Sequence, residues 1–290
     1  MATNLESDDN PVNTLKRIAI QGERGSNSHV AALQMLGDVD IVPCTVAAQV
    51  IDAVAEGRVD AAVLPIENSL HGSVAEHYDL LLDAPIRIDR ESQLRIRHNL
   101  IVAPGVKFGE VIVAMSHPVA LSQCRHWLHA HPSIRVAPFY DTAGSVKHVM
   151  AEGLRNAAGI APELAAQEYG GEVIVAGIED NAENFTRFHL LRRTSDPRPD
   201  GRGEPNKISV AFVVEHRPGT LVAALQGLAA AGVDLTKIES RPVPGKPWEY
   251  VFYVDFRFEG AERVESALAA LRSECGMVKE LGRYRAVSRV

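Results

Sequence analysis

The stretch Asn181-Ala-Glu-Asn-Phe-Thr-Arg-Phe-His-Leu-Leu191 begins polar and turns apolar at Phe185. It reads as a loop running into a strand that carries Phe188, Leu190 and Leu191. Thr186 and Arg187 fall where the loop becomes strand. A Thr hydroxyl gives or accepts a hydrogen bond, and an Arg guanidinium is a fixed cationic fork that matches a carboxylate. The pair therefore marks a candidate site, set against the plainer reading of a turn with a back-bonded Thr and a solvated Arg.

Working outward toward the N-terminus, the chain alternates strand and helix. Lys16–Gln21 is a short strand that stops at Gly22, and Gly25-Ser26 precedes a helical pattern through Val30, Leu33 and Leu36. Ser26, Asn27 and Ser28 are good capping residues for that helix, whose start offers N–H groups to an anion. The loop is not a Walker loop, since no Lys-Ser/Thr follows its second Gly, and the third Gly of a dinucleotide fingerprint is missing. Val46–Gly57 reads as a helix and Ala61–Pro65 as a buried strand. Glu67, Asn68 and Ser69 cluster at the end of that strand, where open α/β sheets place ligands. A helix over Ser73–Leu82 and a strand near Ile86–Ile88 follow, and Arg95–Val102 and Val111–Met115 read as further strands. If Pro118 opens a helix, Ser116 sits at its cap and Gln123 lies about two turns in. His117, His126, His129 and His131 lack a matching carboxylate or Cys, so no metal is expected.

Thr142 opens another helix, and polar groups thus recur at strand ends: Ser26, Asn68, Ser116, Thr142 and Thr186. That recurrence predicts a two-lobed α/β cleft domain over residues 16–192. Lobe one comprises 16–92 plus 175–192 and lobe two 93–174, with Thr186 facing the cleft from the returning strand. Residues 193–206 are poor in apolar side chains and rich in Pro and Gly, so they read as a linker. The order after it, over residues 207–290, is βαββαβ, the ferredoxin-like layout. Such a unit leaves a sheet edge that favours pairing with a second copy.

Composition narrows the function classes. At 290 residues and 46% hydrophobic, the chain has room for about two packed domains. A net charge of −7 with no basic run disfavours nucleic acid. Cys44, Cys124 and Cys275 are scattered and odd in number, which fits a reducing, cytoplasmic setting. Residues 1–15 read as a flexible tail without an apolar export core, and no segment approaches a membrane span.

Several motifs together resemble the prephenate dehydratase family with a C-terminal ACT regulatory domain. They are GxxGSxS at Gly22–Ser28, LPIENS at Leu64–Ser69, SHPxALxQC at Ser116–Cys124, DTAGS at Asp141–Ser145 and NFTRF at Asn184–Phe188, with LTKIESRP at Leu235–Pro242 in the second domain. The resemblance implies a periplasmic-binding-protein-like (type II) catalytic domain, and a reaction that removes water and carbon dioxide from prephenate to give phenylpyruvate in phenylalanine synthesis. It calls for no cofactor. It assigns Thr186 as the proton donor to the leaving hydroxyl, and Ser26, Asn68, Ser69, Ser116, Gln123, Thr142, Arg187 and Phe188 to substrate binding, with Glu67 as a further candidate. It also implies an allosteric amino-acid pocket built from Gly219, Thr220, Leu221, Val222, Glu239, Ser240, Arg241 and Pro242. Its expected ligand is L-phenylalanine, held in a homodimer or homotetramer formed through the ACT and catalytic domains. Thr220 stands where this segment of the family has Ala, and Gly144 and Ser145 stand where small apolar residues are more usual. The departures at Gly144 and Ser145 leave arogenate open as substrate, and that at Thr220 leaves open another amino acid as effector, or the opposite sign of response. A non-catalytic amino-acid sensor, or a solute-binding protein, are the alternatives from other classes.

Overall fold

The computed structural model describes residues 15–198, 203–243, 246 and 249–287. Residues 1–14 of the tail expected over 1–15, part of the expected linker at 199–202, Trp248 (read as opening a strand) and the last three residues lie outside them, whereas Leu15 is not tail but is buried in a core with Ile18 and Ile20.

The chain begins β1 (Arg17–Gln21), α1 (Asn27–Leu36), β2 (Asp40–Cys44), α2 (Ala47–Ala55), β3 (Ala61–Asn68), β4 (Gly72–Ser73), α3 (Ala75–Asp83) and β5 (Ile86–Arg95). β1 runs parallel to β2 and β3. β2 has no counterpart in the sequence reading because Pro43 interrupts its short apolar run. Its place at the sheet edge is where a strand tolerates Pro. Ser26 caps α1, its Oγ accepting from the His29 N–H at 3.4 Å, and Gly37 ends the helix at a φ of 75°.

A second sheet is built from β6 (Asn99–Val102), β7 (Val113–Ser116), β8 (Arg135–Pro138), β9 (Ala157–Ala161) and β10 (Glu172–Val175). Its order is β10-β6-β9-β7-β8. Its helices are α4 (Pro118–Ser122), α5 (Arg125–Ala130), α6 (Thr142–Ala151) and α7 (Glu163–Tyr169). β11 (Phe185–Arg193) then returns to the first sheet between β3 and β5, completing the order β2-β1-β3-β11-β5. The single strand expected over Arg95–Val102 is instead the crossing between sheets. β5 pairs with β11 as far as Arg95, and the chain re-enters a sheet at Asn99. At the crossing, the Ile96 N–H donates to the Asn184 carbonyl at 2.7 Å and the His98 N–H to Glu179 at 2.9 Å, in place of a continuous ladder.

The C-terminal unit is β12 (Lys207–Val213), α8 (Thr220–Ala230), β13 (Asp234–Pro242), β14 (Tyr250–Arg257), α9 (Ala261–Glu274) and β15 (Met277–Tyr284). Its antiparallel sheet has the order β13-β14-β12-β15, the ferredoxin-like arrangement. One face packs under α8 and α9 through Ile208, Val210, Phe212, Phe256 and Leu268. The other face packs on lobe one: Ala211, Val251, Tyr253, Leu281 and Tyr284 share a core with Val50, Leu64, Tyr78, Leu81 and Leu191. The two surfaces meet closely where a Cβ added to Gly282 would lie 2.2 Å from the Ile88 carbonyl oxygen. Burial on both faces explains why β12 reads as an almost unbroken apolar run.

Charges are also buried at this junction. Arg187 and Lys207 lie beside Asp255, and Ser209 donates to it at 2.5 Å. Burial opposes ionisation of Asp255, but the Arg187 and Lys207 charges outweigh it and hold the carboxyl down at about 2, against 3.8 for the free side chain. A carboxyl whose folded pKa is depressed contributes stability that is complete above its unfolded pKa and is lost as pH falls through the folded one. Urea midpoints should therefore drop between about pH 4 and pH 2, and in Asp255→Asn that part of the drop should shrink.

Candidate active site

Between the lobes lies a cleft of about 710 Å³. The loop after β1, the end of β3, the first half of β11, the C-terminal cap of α4 and the start of α6 bring Ser26, Asn68, Gln123, Thr142, Thr186 and Phe188 to its wall. Of the residues expected to touch substrate, these six are gathered there.

Thr186 is held by Asn68, its cross-strand partner on β3. The Asn68 Oδ1 accepts from the Leu70 and His71 N–H groups, each at 3.0 Å, which turns its amide nitrogen toward β11. That nitrogen donates to Thr186 Oγ1 at 2.9 Å and to Asn184 Oδ1 at 2.8 Å. Thr186 therefore accepts from Asn68, and its own proton is free to point elsewhere. Since Thr186 is buried and lines the cleft, that proton is available to a bound molecule.

A second polar chain spans the lobes. The Gln123 carboxamide oxygen meets His98 Nε2 at 2.8 Å, and its nitrogen meets His71 Nδ1 at 3.1 Å. Burial holds His98 below its usual pKa, so at neutral pH it donates its single Nε2 proton to Gln123. Gln123 is the C-cap of α4, one short helix opened by Pro118. The carboxylate of Glu23 clasps the lobes together, accepting from Tyr140 at 2.8 Å and from Lys147 at 2.9 Å. The backbone approach there needs Gly25, whose φ is 81° and whose added Cβ would sit 2.6 Å from the Ala165 Cα.

For anions, the cleft offers the first turns of α1 and α6, whose N–H groups lack intrahelical acceptors. Lys147 is its lining cation. Its lining carboxylates are Glu23, Glu76 and Asp141. Asp141 caps α6 by accepting from the Gly144 N–H at 2.7 Å, yet burial raises its pKa above the usual carboxylate range. Sequence reasoning did not single out Lys147, Asp141, His71 or His98. The helix that DTAGS opens carries Lys147 one turn and a half further along, and that spacing is the signal that was available.

Four expected residues fall elsewhere. Arg187 points away from the cleft, because alternation along β11 puts it on the face opposite Thr186. There it pairs with Asp255, with Glu67 at 3.3 Å and with Glu91 at 3.4 Å, so it is not placed to receive a substrate carboxylate. Glu67 shares that face and binds Lys237 at 3.2 Å. Ser116 is buried and donates to the Ile160 carbonyl at 2.6 Å, holding β7 beside β9, while His117 takes the cap position of α4. Ser69 donates to the Glu183 carbonyl at 3.0 Å and accepts from the Phe185 N–H at 2.9 Å, pinning the loop that leads into Thr186. Phe188 is nearly fully buried and packs beneath the cleft with Ile20 and Val63.

A second cavity of about 370 Å³ lies in the C-terminal unit, lined by residues 214–222, Tyr250 and Phe252. Gly219, Thr220, Leu221 and Val222 are among them. The Thr220 hydroxyl reaches the Glu215 and Arg217 carbonyls at 2.7 and 2.9 Å, so its proton is occupied within the loop. The ESRP segment of β13 is divided between faces. Ser240 and Pro242 pair with Phe252 and Tyr250, on the side of this cavity. Glu239 and Arg241 turn to lobe one, where Ser73 donates to Glu239 at 2.7 Å and Arg241 pairs with Asp79 at 2.9 Å.

Fold and cleft together define a two-lobed α/β protein whose cleft is lined by a threonine hydroxyl, two helix starts and a lysine, backed by a ferredoxin-like domain. The family model for prephenate dehydratase matches residues 18–196, and that for the ACT domain matches residues 208–276. The chain belongs to the prephenate dehydratase family, as a dehydratase of aromatic amino acid biosynthesis that carries an ACT domain. It is 39% identical over 278 residues to "Arogenate dehydratase/prephenate dehydratase 2, chloroplastic" of Arabidopsis thaliana, covering 92% of this chain and 72% of that one. Among solved structures, GqqA, described as a novel type of quorum quenching acylase, superposes with a TM-score of 0.86 at 32% identity, covering 94% of this chain and 98% of that chain. Prephenate dehydratase from Arthrobacter aurescens in complex with L-Phe superposes with a TM-score of 0.84 at 31% identity, covering 93% and 90%. Among the described residues no helix is long and apolar enough to cross a membrane.

Proposed function

We propose that this chain converts prephenate to phenylpyruvate, with Thr186 as the proton donor. The reading rests on one observation: Thr186 Oγ1, which lines the cleft, accepts from Asn68 and so keeps its own proton free for an acceptor there. In the reaction the ring C–O bond and the bond to the ring carboxylate break together. The electron pair released with carbon dioxide completes the aromatic ring, and the departing hydroxyl must gain a proton to leave as water. Hydroxide is a poor leaving group, so a hydrogen bond that grows into proton transfer as charge develops lowers the barrier. The helix starts at Ser26 and Thr142, with Lys147, receive the substrate carboxylates. Gln123 and Asn68 orient the ring. Burial raises the pKa of Asp141 above the usual carboxylate range, which favours its protonated form beside a dianion.

Arogenate is the second reading, supported by the paired name of the Arabidopsis thaliana relative. The two substrates differ in the side chain, a keto acid or an ammonium acid, and not at the ring where Thr186 acts. Phenylalanine is the proposed effector at the second cavity, in keeping with the L-Phe complex of the Arthrobacter aurescens enzyme. The second copy is proposed to pair along the β13 edge, where Leu235 and Ile238 are exposed.

The test is product formation from prephenate and from arogenate, each with and without phenylalanine. Phenylpyruvate formed from prephenate and suppressed by phenylalanine supports the proposal. Turnover of arogenate alone moves the assignment to the second reading, and turnover of neither overturns both.

A further inference from the structure

The two strands that carry Thr186 and Asn68 have a second pair on their reverse side. Thr186 lies opposite Asn68 in the ladder, and Arg187 lies opposite Glu67. Alternation along both strands sends the first pair to the cleft and the second to the C-terminal sheet. On that reverse side Arg187 is gripped by Asp255 of β14, and Glu67 by Lys237 of β13. Lys237 also donates to Ser73 at 2.6 Å, and Ser73 donates to Glu239 at 2.7 Å. Glu91 of β5 ties the group to Lys207 at 2.8 Å. Three cations (Arg187, Lys207, Lys237) thus interlock with four carboxylates (Glu67, Glu91, Glu239, Asp255) across one sheet-to-sheet junction.

We propose that Arg187 and Glu67 are positioning residues, through which the C-terminal sheet sets the placement of Thr186 and Asn68 in the cleft. This rests on the reading of Thr186 as the proton donor. Adjacent residues of one strand share a peptide bond and cannot move independently. A shift of β13 or β14 against lobe one drags Arg187 and Glu67, and with them the 2.9 Å contact between Asn68 and Thr186. β14 is suited to pass such a shift on. Its Phe252 faces the second cavity and its Asp255, three residues along, faces Arg187. A ligand that moves Phe252 therefore acts on the same strand that holds Arg187.

The test uses Asp255→Asn and Lys237→Met, which lie in the C-terminal sheet and contact neither Thr186 nor Asn68, with Lys237→Arg as the conservative variant. Misplacement of a reacting group at a distance from the mutation can cost about 100-fold in rate. We expect kcat to fall about 10- to 100-fold in both variants while KM stays within about twofold, and Lys237→Arg to restore most of the rate. The Thr186 methyl resonance, assigned through Thr186→Val, should move in both variants. An unmoved methyl, or an unchanged kcat per folded enzyme alongside a lowered unfolding midpoint, would overturn the proposal and leave a merely structural junction. If the wild type turns over neither prephenate nor arogenate, the functional reading fails on its own, and the methyl resonance still decides whether the sheet moves Thr186.

Discussion

Thr186→Val is expected to lower kcat for dehydration by about 10²–10⁴-fold, the range that general-acid assistance contributes, while the protein stays folded. Val keeps the β-branched shape and the strand preference of Thr, so β11 and its ladder to β3 and β5 should persist. The lost hydroxyl removes the donor, and Asn68 Nδ2 keeps Asn184 Oδ1 and the Phe185 carbonyl as acceptors. KM should change little under the proposed placement of the substrate carboxylates at the helix starts and Lys147. Thr186→Ser keeps a hydroxyl that Asn68 can orient and should retain most of the rate. The measurement is steady-state kinetics on prephenate with circular dichroism as the folding control. Near-normal turnover by the Val variant would transfer the donor role to another group in the cleft, of which Asp141 is the first to examine because burial favours its protonated form.

Arg187→Met is expected to act on stability first. Removing one member of a buried ion pair leaves the other uncompensated and typically costs about 3–5 kcal/mol. Here three carboxylates, Asp255, Glu91 and Glu67, lose a shared partner at once. Lys207 and Lys237 remain beside them and keep the loss from growing in proportion. Equilibrium urea unfolding near pH 7 measures the effect. Had Arg187 been a receptor for a substrate carboxylate, the variant would instead raise KM at nearly unchanged stability. That outcome would return it to the cleft.

The two variants differ by one position in the chain and separate the two faces of one strand: Thr186 lies on the cleft face, and Arg187 lies on the face that meets the C-terminal sheet. His189 extends that second face: it accepts from Arg187 at 3.0 Å and is fully buried. Burial and the Arg187 charge hold its pKa well below the usual range, so it stays neutral within the charged junction.

Much of this was legible in the sequence because it is local. The capping residues at the start of α1, the strand into which Thr186 leads, and the βαββαβ order follow from residues within a few positions of one another. Strand alternation alone also implied that Thr186 and Arg187 face opposite ways. What covers the far face was not legible. Asp255 is 68 residues from Arg187, and Lys237 is 170 from Glu67, so no local pattern joins them. The same distance hid the chain from His98 through Gln123 to His71 and the clasp of Glu23 on Tyr140 and Lys147. The sequence by itself determined most of the elements and the family, and it marked Thr186 as a candidate. Only the tertiary structure decided that Arg187 and Glu67 serve the junction, because a side chain's partner is fixed by whichever distant surface is packed against its face of the sheet.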